Sequence, residues 1–163
     1  IYKSYTTQGG IKSPALFYSS KERFSPSKKD SVMTVMDIAP TIIDLAGTSY
    51  PLEKEDILPL TGRSALDFLS NKTKNVHGNE SIGWELYGNR ALIKGNYKLV
   101  LTWPPEGTGR WELYDIQSDP AEAEDISLDY PDLTKELIND WIIYAEENGV
   151  AIFDRDIGYG RYP

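Results

Sequence analysis

Arg90-Ala91-Leu92-Ile93-Lys94-Gly95-Asn96-Tyr97-Lys98-Leu99-Val100-Leu101-Thr102-Trp103 places two apolar runs on either side of a Gly-Asn pair. Two residues of that type between alternating apolar positions specify a tight β-hairpin, Arg90–Lys94 with Tyr97–Trp103. Within the second run Tyr97, Leu99 and Leu101 alternate with Lys98 and Val100, which predicts a sheet with one better-buried face. Further strands are expected on both sides, at Ser81–Tyr87 and Arg110–Ile116. Pro104-Pro105-Glu106-Gly107-Thr108-Gly109 forms a turn, and Asp119-Pro120 ends the last strand in an acidic loop. Pro131 then suits the first turn of a helix in which Leu133, Leu137, Trp141, Tyr144 and Ala145 recur at helical spacing, with Gly149 as its stop. Outward from the hairpin, the expectation is a four-stranded antiparallel sheet packed with a C-terminal helix. The Gly-, Tyr- and Arg-containing tail after Ile152 is read as a surface-wrapping or unstructured segment.

Upstream of Glu80 the pattern differs. Residues 11–18 end in an apolar run without helical spacing, and Pro14 opposes a helix, so a strand is expected there. Asp37 suits an N-cap, Pro40 is tolerated in the first turn, Ile42, Ile43, Leu45 and Ala46 would form the buried side, and Gly47 stops the helix. Residues 48–62 hold Pro51, Pro59 and Gly62 and read as a linker. Ser64 is expected to cap a short helix, with Asp67 completing a capping box and Leu66 and Leu69 inward. Asn71 to Asn79 is polar, turn-like and the expected boundary. The resulting division is 1–50, 51–79 with the short helix, and 80–163.

The chain has 163 residues, 40% of them hydrophobic, enough for a core. A net charge of −8 disfavours nucleic acid or anionic lipid as partners, because the only basic cluster, Lys21, Arg23, Lys28 and Lys29, is short and reads as solvated surface. There is no cysteine, hence neither disulfide nor thiolate metal site. No apolar run reaches membrane-span length. Asn71-Lys72-Thr73 and Asn79-Glu80-Ser81 match the glycosylation sequon, which matches often by chance.

Five blocks follow one another along the chain. They are Tyr2-Lys3-Ser4-Tyr5-Thr6-Thr7-Gln8-Gly9-Gly10-Ile11-Lys12-Ser13-Pro14-Ala15, then Met36-Asp37-Ile38-Ala39-Pro40-Thr41-Ile42-Ile43-Asp44-Leu45-Ala46-Gly47, then Gly62-Arg63-Ser64, then Gly83-Trp84-Glu85-Leu86-Tyr87-Gly88-Asn89-Arg90-Ala91-Leu92, and finally Trp111-Glu112-Leu113-Tyr114-Asp115 through Asp119-Pro120. In that order they resemble the C-terminal part of bacterial arylsulfatases, a family of the alkaline-phosphatase superfamily. Tyr87 stands where the family commonly has Phe. The fold class implied is α/β overall and α+β for this piece. Residues 1–50 would be the C-terminal strip of an α/β/α catalytic domain, and residues 80–163 an antiparallel-sheet subdomain.

The resemblance implies a sulfuric ester hydrolase in which a formylglycine nucleophile beside a calcium ion attacks the sulfate ester. Both would belong to a missing N-terminal portion of the catalytic domain, since no serine here precedes the required Pro and Arg. Opening at Ile1 in mid-motif, the chain reads as a fragment or a processed product, inactive alone, whose N-terminal part would expose apolar surface. By similarity Lys3 is the catalytic, sulfate-contacting lysine, a compact cation for the charge on the transferring group. Gly9 and Gly10 are substrate-site candidates through close backbone approach, and His77, the only histidine, is the other. Lys12 reads as solvent-facing. Asp37 is a cap before it is a metal ligand, and no metal ligand is assigned in this chain. Glu85 and Arg90 are expected to form an ion pair beneath core packing. Two alternatives stay open: a phosphonate monoester hydrolase or phosphatase of the same superfamily, and a non-enzymatic interaction module using the Trp and Tyr side chains. The compartment is left between periplasm and cytoplasm of a bacterium.

Overall fold

The computed structural model describes residues 3–20, 24, 27–51 and 57–158. Its elements, in chain order, are α1 (Gln8–Ile11), a 3₁₀ turn (Val35–Asp37), α2 (Ile38–Ala46), α3 (Leu66–Leu69), β1 (Ile82–Leu86), β2 (Asn89–Lys94), β3 (Tyr97–Leu101), β4 (Trp111–Asp115) and α4 (Pro131–Glu147). They fall into two compact units, Ile1–Pro14 with Asn79–Pro163, and Ala15–Gly78.

The first unit is an antiparallel sheet in the order β1-β2-β3-β4. Lys94 pairs with Tyr97, so Gly95-Asn96 forms the two-residue loop, with Gly95 at a φ of +60° that glycine adopts without steric cost. The β1–β2 loop is Tyr87-Gly88, both at positive φ, and Gly88 donates its N–H to Glu85 Oε1. On one face Leu92, Leu99 and Leu113 pack against Leu137, Trp141 and Ala145 of α4. Gly83 lies under the Tyr144 ring. Lys94 donates to both Glu136 and Asp140 of α4. Pro131 sits in the first turn of that helix, and Gly149 follows its end at φ +62°.

The opposite face is buried too, contrary to the one-sided pattern expected of Tyr97–Leu101. Ala91, Val100 and Tyr114 form a second cluster there with Trp84 and Ile116, and Lys98 is fully buried. Residues 3–14 of the same unit, remote in sequence, supply the reason: Thr6 hydrogen-bonds to the Arg90 carbonyl of β2 and Gln8 to Glu122, and residues 7–9 face Val100 and Tyr114 across a cleft. The expected Glu85–Arg90 ion pair is replaced by a looser relation. The two are cross-strand partners, but Glu85 accepts from Gly88, while Arg90 lies over the Trp141 and Trp103 rings and donates to the Phe153 carbonyl. Burial lowers the pKa of Arg90, and the charge of Glu85 opposes that shift.

In the second unit Ala65, Phe68 and Leu69 form a small core with Phe17, Phe24, Met33 and Val76. Three expectations fail here. Residues 12–19 have no strand partner among the described residues, and Leu16 and Tyr18 stand exposed, so the apolar run there does not make a strand. In α2 the buried residue is Thr41, whereas Ile42 is 59% exposed and Ala46 is exposed. Thr41 is drawn inward by two hydrogen bonds, donating to the Asp37 carbonyl and accepting from the Ala65 N–H. The N-cap of α3 is Ala65, not Ser64, whose hydroxyl accepts a bond from Leu66 N–H, and Asp67 pairs with Lys72. Lys21 and Arg23 of the basic cluster lie outside the described residues.

Candidate functional site

Lys3 is exposed, and no ion pair among the described residues engages it. Three residues on, Thr6 is 1% exposed and its hydroxyl donates to the Arg90 carbonyl at 3.0 Å. The chain then enters α1, whose first N–H, from Gln8, donates to Glu122 Oε2 at 2.8 Å. Gly9 and Gly10 lie inside this single helical turn at ordinary φ, so they do not supply the positive-φ loop that paired glycines permit. Gly9 is exposed and Lys12 is exposed.

Beside the segment a cleft of about 570 Å³ is lined by Thr7, Gln8, Gly9, Thr102, Glu112 and Glu122, among others. Glu122 of that lining accepts at Oε1 from the buried Lys98 ammonium at 2.5 Å. Burial pulls the pKa of Lys98 down, against the attraction of Glu122. Burial raises the pKa of Glu112, and the charge of Asp125 adds to the shift. Burial likewise raises that of Tyr114, helped by Glu112. Of residues 6–8, Thr6 is thus held by the Arg90 carbonyl and Gln8 by the Glu122 carboxylate.

His77 belongs to the other unit, and there it has a partner. Its Nε2 lies 2.8 Å from Asp37 Oδ2, with the imidazole 10% and the carboxylate 0% exposed. Asp37 stands at the N-cap position of α2, as expected from the sequence, but its side chain makes no capping bond to that helix and turns back instead. It closes a capping box with Thr34, accepting the Thr34 N–H at 2.7 Å, and its other oxygen accepts the Arg63 N–H at 2.8 Å. Burial works to raise its pKa, but the Thr34 and Arg63 amides and His77 outweigh that and hold it below its ordinary value. The box was legible as Thr34-x-x-Asp37, one residue type away from the usual Glu or Gln. The histidine's partner was not, because it lies 40 residues upstream. Lys3, Gly9 and Gly10 therefore fall in the sheet unit, and His77 with Asp37 in the other. Among the described residues no group of three or more His, Cys, Asp or Glu side chains converges, so they offer no ligand set for a calcium ion. No described helix is long and apolar enough to cross a membrane.

Comparison with known proteins bears on what this arrangement is for. Residues 3–141 match the family model described as N-sulphoglucosamine sulphohydrolase, C-terminal. An uncharacterized sulfatase of Schizosaccharomyces pombe is 39% identical over 161 residues, covering 93% of this chain and 28% of that protein. Arylsulfatase K of Homo sapiens is 26% identical over 113 residues, covering 66% of this chain and 21% of that protein. The chain thus spans about a quarter of the length of these relatives. Among solved structures, BT33336S-sulf, from work on glycosaminoglycan metabolism by Bacteroides thetaiotaomicron, superposes with a TM-score of 0.60 at 18% identity, over 77% of this chain and 27% of that one. At that identity the likeness speaks to the fold, which agrees with the α+β sheet-and-helix architecture expected from the sequence. With most of its length inside the family model, the chain belongs to the N-sulphoglucosamine sulphohydrolase C-terminal family and is a C-terminal part of a sulfatase.

Proposed function

We propose that the protein of which this chain is part hydrolyses sulfate attached to a sugar, and that this chain's contribution to the chemistry is Lys3. The observation that carries the reading is the exposed ammonium of Lys3 on a segment otherwise pinned to the sheet at Thr6 and Gln8. A cation held on a fixed support can meet charge that develops on a transferring sulfate without reorganising first. Sugar-borne sulfate as the substrate is supported by the family description and by the glycosaminoglycan setting of the structural relative. Family membership favours sulfate over phosphonate.

The formylglycine nucleophile and the calcium ion belong, in this reading, to the rest of the polypeptide. They would supply the attacking oxygen and the counter-charge to the ester. Gly9 and Gly10 contribute by leaving the approach beside Lys3 unobstructed, since neither has a side chain to fill it. His77 acts on its neighbours through Asp37 rather than on substrate, its Nε2 being engaged by a buried carboxylate. The exposed Val35, Met36, Ile38 and Ile42 are where the remainder of the catalytic domain would pack.

Steady-state kinetics on the full-length enzyme test the reading. Lys3→Ala should lower turnover by about 10²- to 10³-fold, as loss of one charge-stabilising contact does. Lys12→Ala, on an exposed residue beyond α1, should leave it unchanged. A Lys3→Ala enzyme within about threefold of the parent would return Lys3 to the status of a surface lysine.

A further inference from the structure

The segment that carries Lys3 is fastened by groups distant in sequence, and one of those fastenings is built at a cost. Glu122 uses both carboxylate oxygens: Oε2 accepts the Gln8 N–H at 2.8 Å, and Oε1 accepts from Lys98 at 2.5 Å. Lys98 is 0% and Glu122 7% exposed at the side chain. A buried ion pair gains little over apolar residues of the same volume, because removing two charges from water offsets their attraction.

The backbone of Glu122 is costly as well. Its φ is +56°, a left-handed conformation that disfavours a residue with a Cβ. The turn is held there by Asp119, whose carbonyl accepts the Glu122 N–H and whose Oδ2 accepts the Ala123 and Glu124 amides. The opening of α1 has a matching need, since Thr7 at its N-cap position makes no side-chain capping bond. Buried charge, left-handed backbone and uncapped turn meet at one carboxylate.

We propose that Glu122 is a positioning residue, with Lys98 the counter-charge that lets its carboxylate stay buried: Glu122 fixes Gln8, as the Arg90 carbonyl fixes Thr6, and thereby holds Lys3 at the sulfate, an inference that rests on the role of Lys3 given above. Thr6 supplies the first attachment and Glu122 the second, so the chain between them cannot slide. Lys3, three residues upstream of the first, inherits that fixed origin.

A double-mutant cycle in the full-length enzyme tests this. Replacing the pair by apolar residues, K98M with E122M, avoids leaving one charge buried alone. It should lower kcat by about 10- to 100-fold, the scale of a misplaced catalytic group, with KM changed less than about threefold. In a K3A background the same pair of changes should cost less than about threefold, because the group it positions is gone. K98M with E122Q keeps a neutral acceptor for the Gln8 N–H and should recover most of the lost rate. Amide exchange at Gln8 should quicken by about tenfold or more in the K98M/E122M chain and not in the K98M/E122Q chain. An equal loss with and without Lys3, unchanged kcat, or unchanged Gln8 exchange would each overturn the proposal. A silent K3A variant instead overturns the reading of Lys3, and Gln8 exchange then still reports whether the attachment exists.

Discussion

Asp37 shows how much one residue can join. Its carboxylate gathers the Thr34 and Arg63 amides and the His77 ring, and its carbonyl accepts the Thr41 hydroxyl, so the 3₁₀ turn, α2, the Gly62-Arg63 loop and the His77 loop share one anchor. Because its pKa in the folded chain lies below the ordinary 3.8, the unfolded chain binds the proton more readily. The stabilisation is thus fully present above pH 3.8 and is lost as pH falls through the folded value. Asp37→Asn should remove the acid-sensitive component and cost about 2–4 kcal/mol at neutral pH, since a buried acceptor of several donors is replaced by a weaker one. Thermal melts of both chains from pH 7 downward check this: the gap between them should close in acid, and a constant gap would contradict the assignment. From sequence, Asp37 could be placed at a helix start through local spacing alone. Its link to His77 could not, because nothing local couples positions 40 apart.

At the scale of elements, the packing of β1 against α4 depends on a missing side chain. A Cβ on Gly83 would sit 2.3 Å from the Tyr144 ring, so helix and strand approach closer than any other residue permits. Gly83→Ala should destabilise the chain by about 1–3 kcal/mol through overpacking, read as a lower urea midpoint. Gly83→Ala combined with Tyr144→Leu should recover part of that loss, and no recovery would place the strain elsewhere. The four strands and α4 were legible because each carries its own period: the Gly95-Asn96 loop set the register, and Leu137, Trp141 and Ala145 marked the buried stripe. The second covered face was not legible. Lys98 and Val100 read as an outward side until Thr6, Gln8 and Glu122 arrive from remote positions. Ile11–Tyr18 failed for the opposite reason, since β-like composition makes no strand without a neighbouring one. Of the candidate site, Lys3, Gly9 and Gly10 could be named from a motif, whereas Glu122 had no signal beyond an acidic loop.

For the whole molecule, the apolar side chains left exposed on the second unit set the expectation for behaviour in solution. Val35 is 81%, Ile42 59% and Ile38 47% exposed on and beside one short helix, a patch a monomer rarely leaves open. The isolated 163-residue chain should therefore associate in a concentration-dependent way. Sedimentation velocity should show the monomer regained in an Ile38→Glu, Ile42→Lys chain, with stability changed by no more than about 0.5 kcal/mol as expected for exposed sites. Persistent association would shift attention to other surfaces. The two compact units also differ in their optical content. All four tryptophans, Trp84, Trp103, Trp111 and Trp141, lie in the unit of the sheet, Trp111 tilted against Trp141 at 5.5 Å, and Trp141 together with Trp103 beside the Arg90 guanidinium. Indole emission is consequently a private signal of the sheet, while circular dichroism sums over both units. Followed together through one titration, the two signals separate the unfolding of the body that carries Lys3 from that of the body that carries Asp37 and His77, with no label introduced.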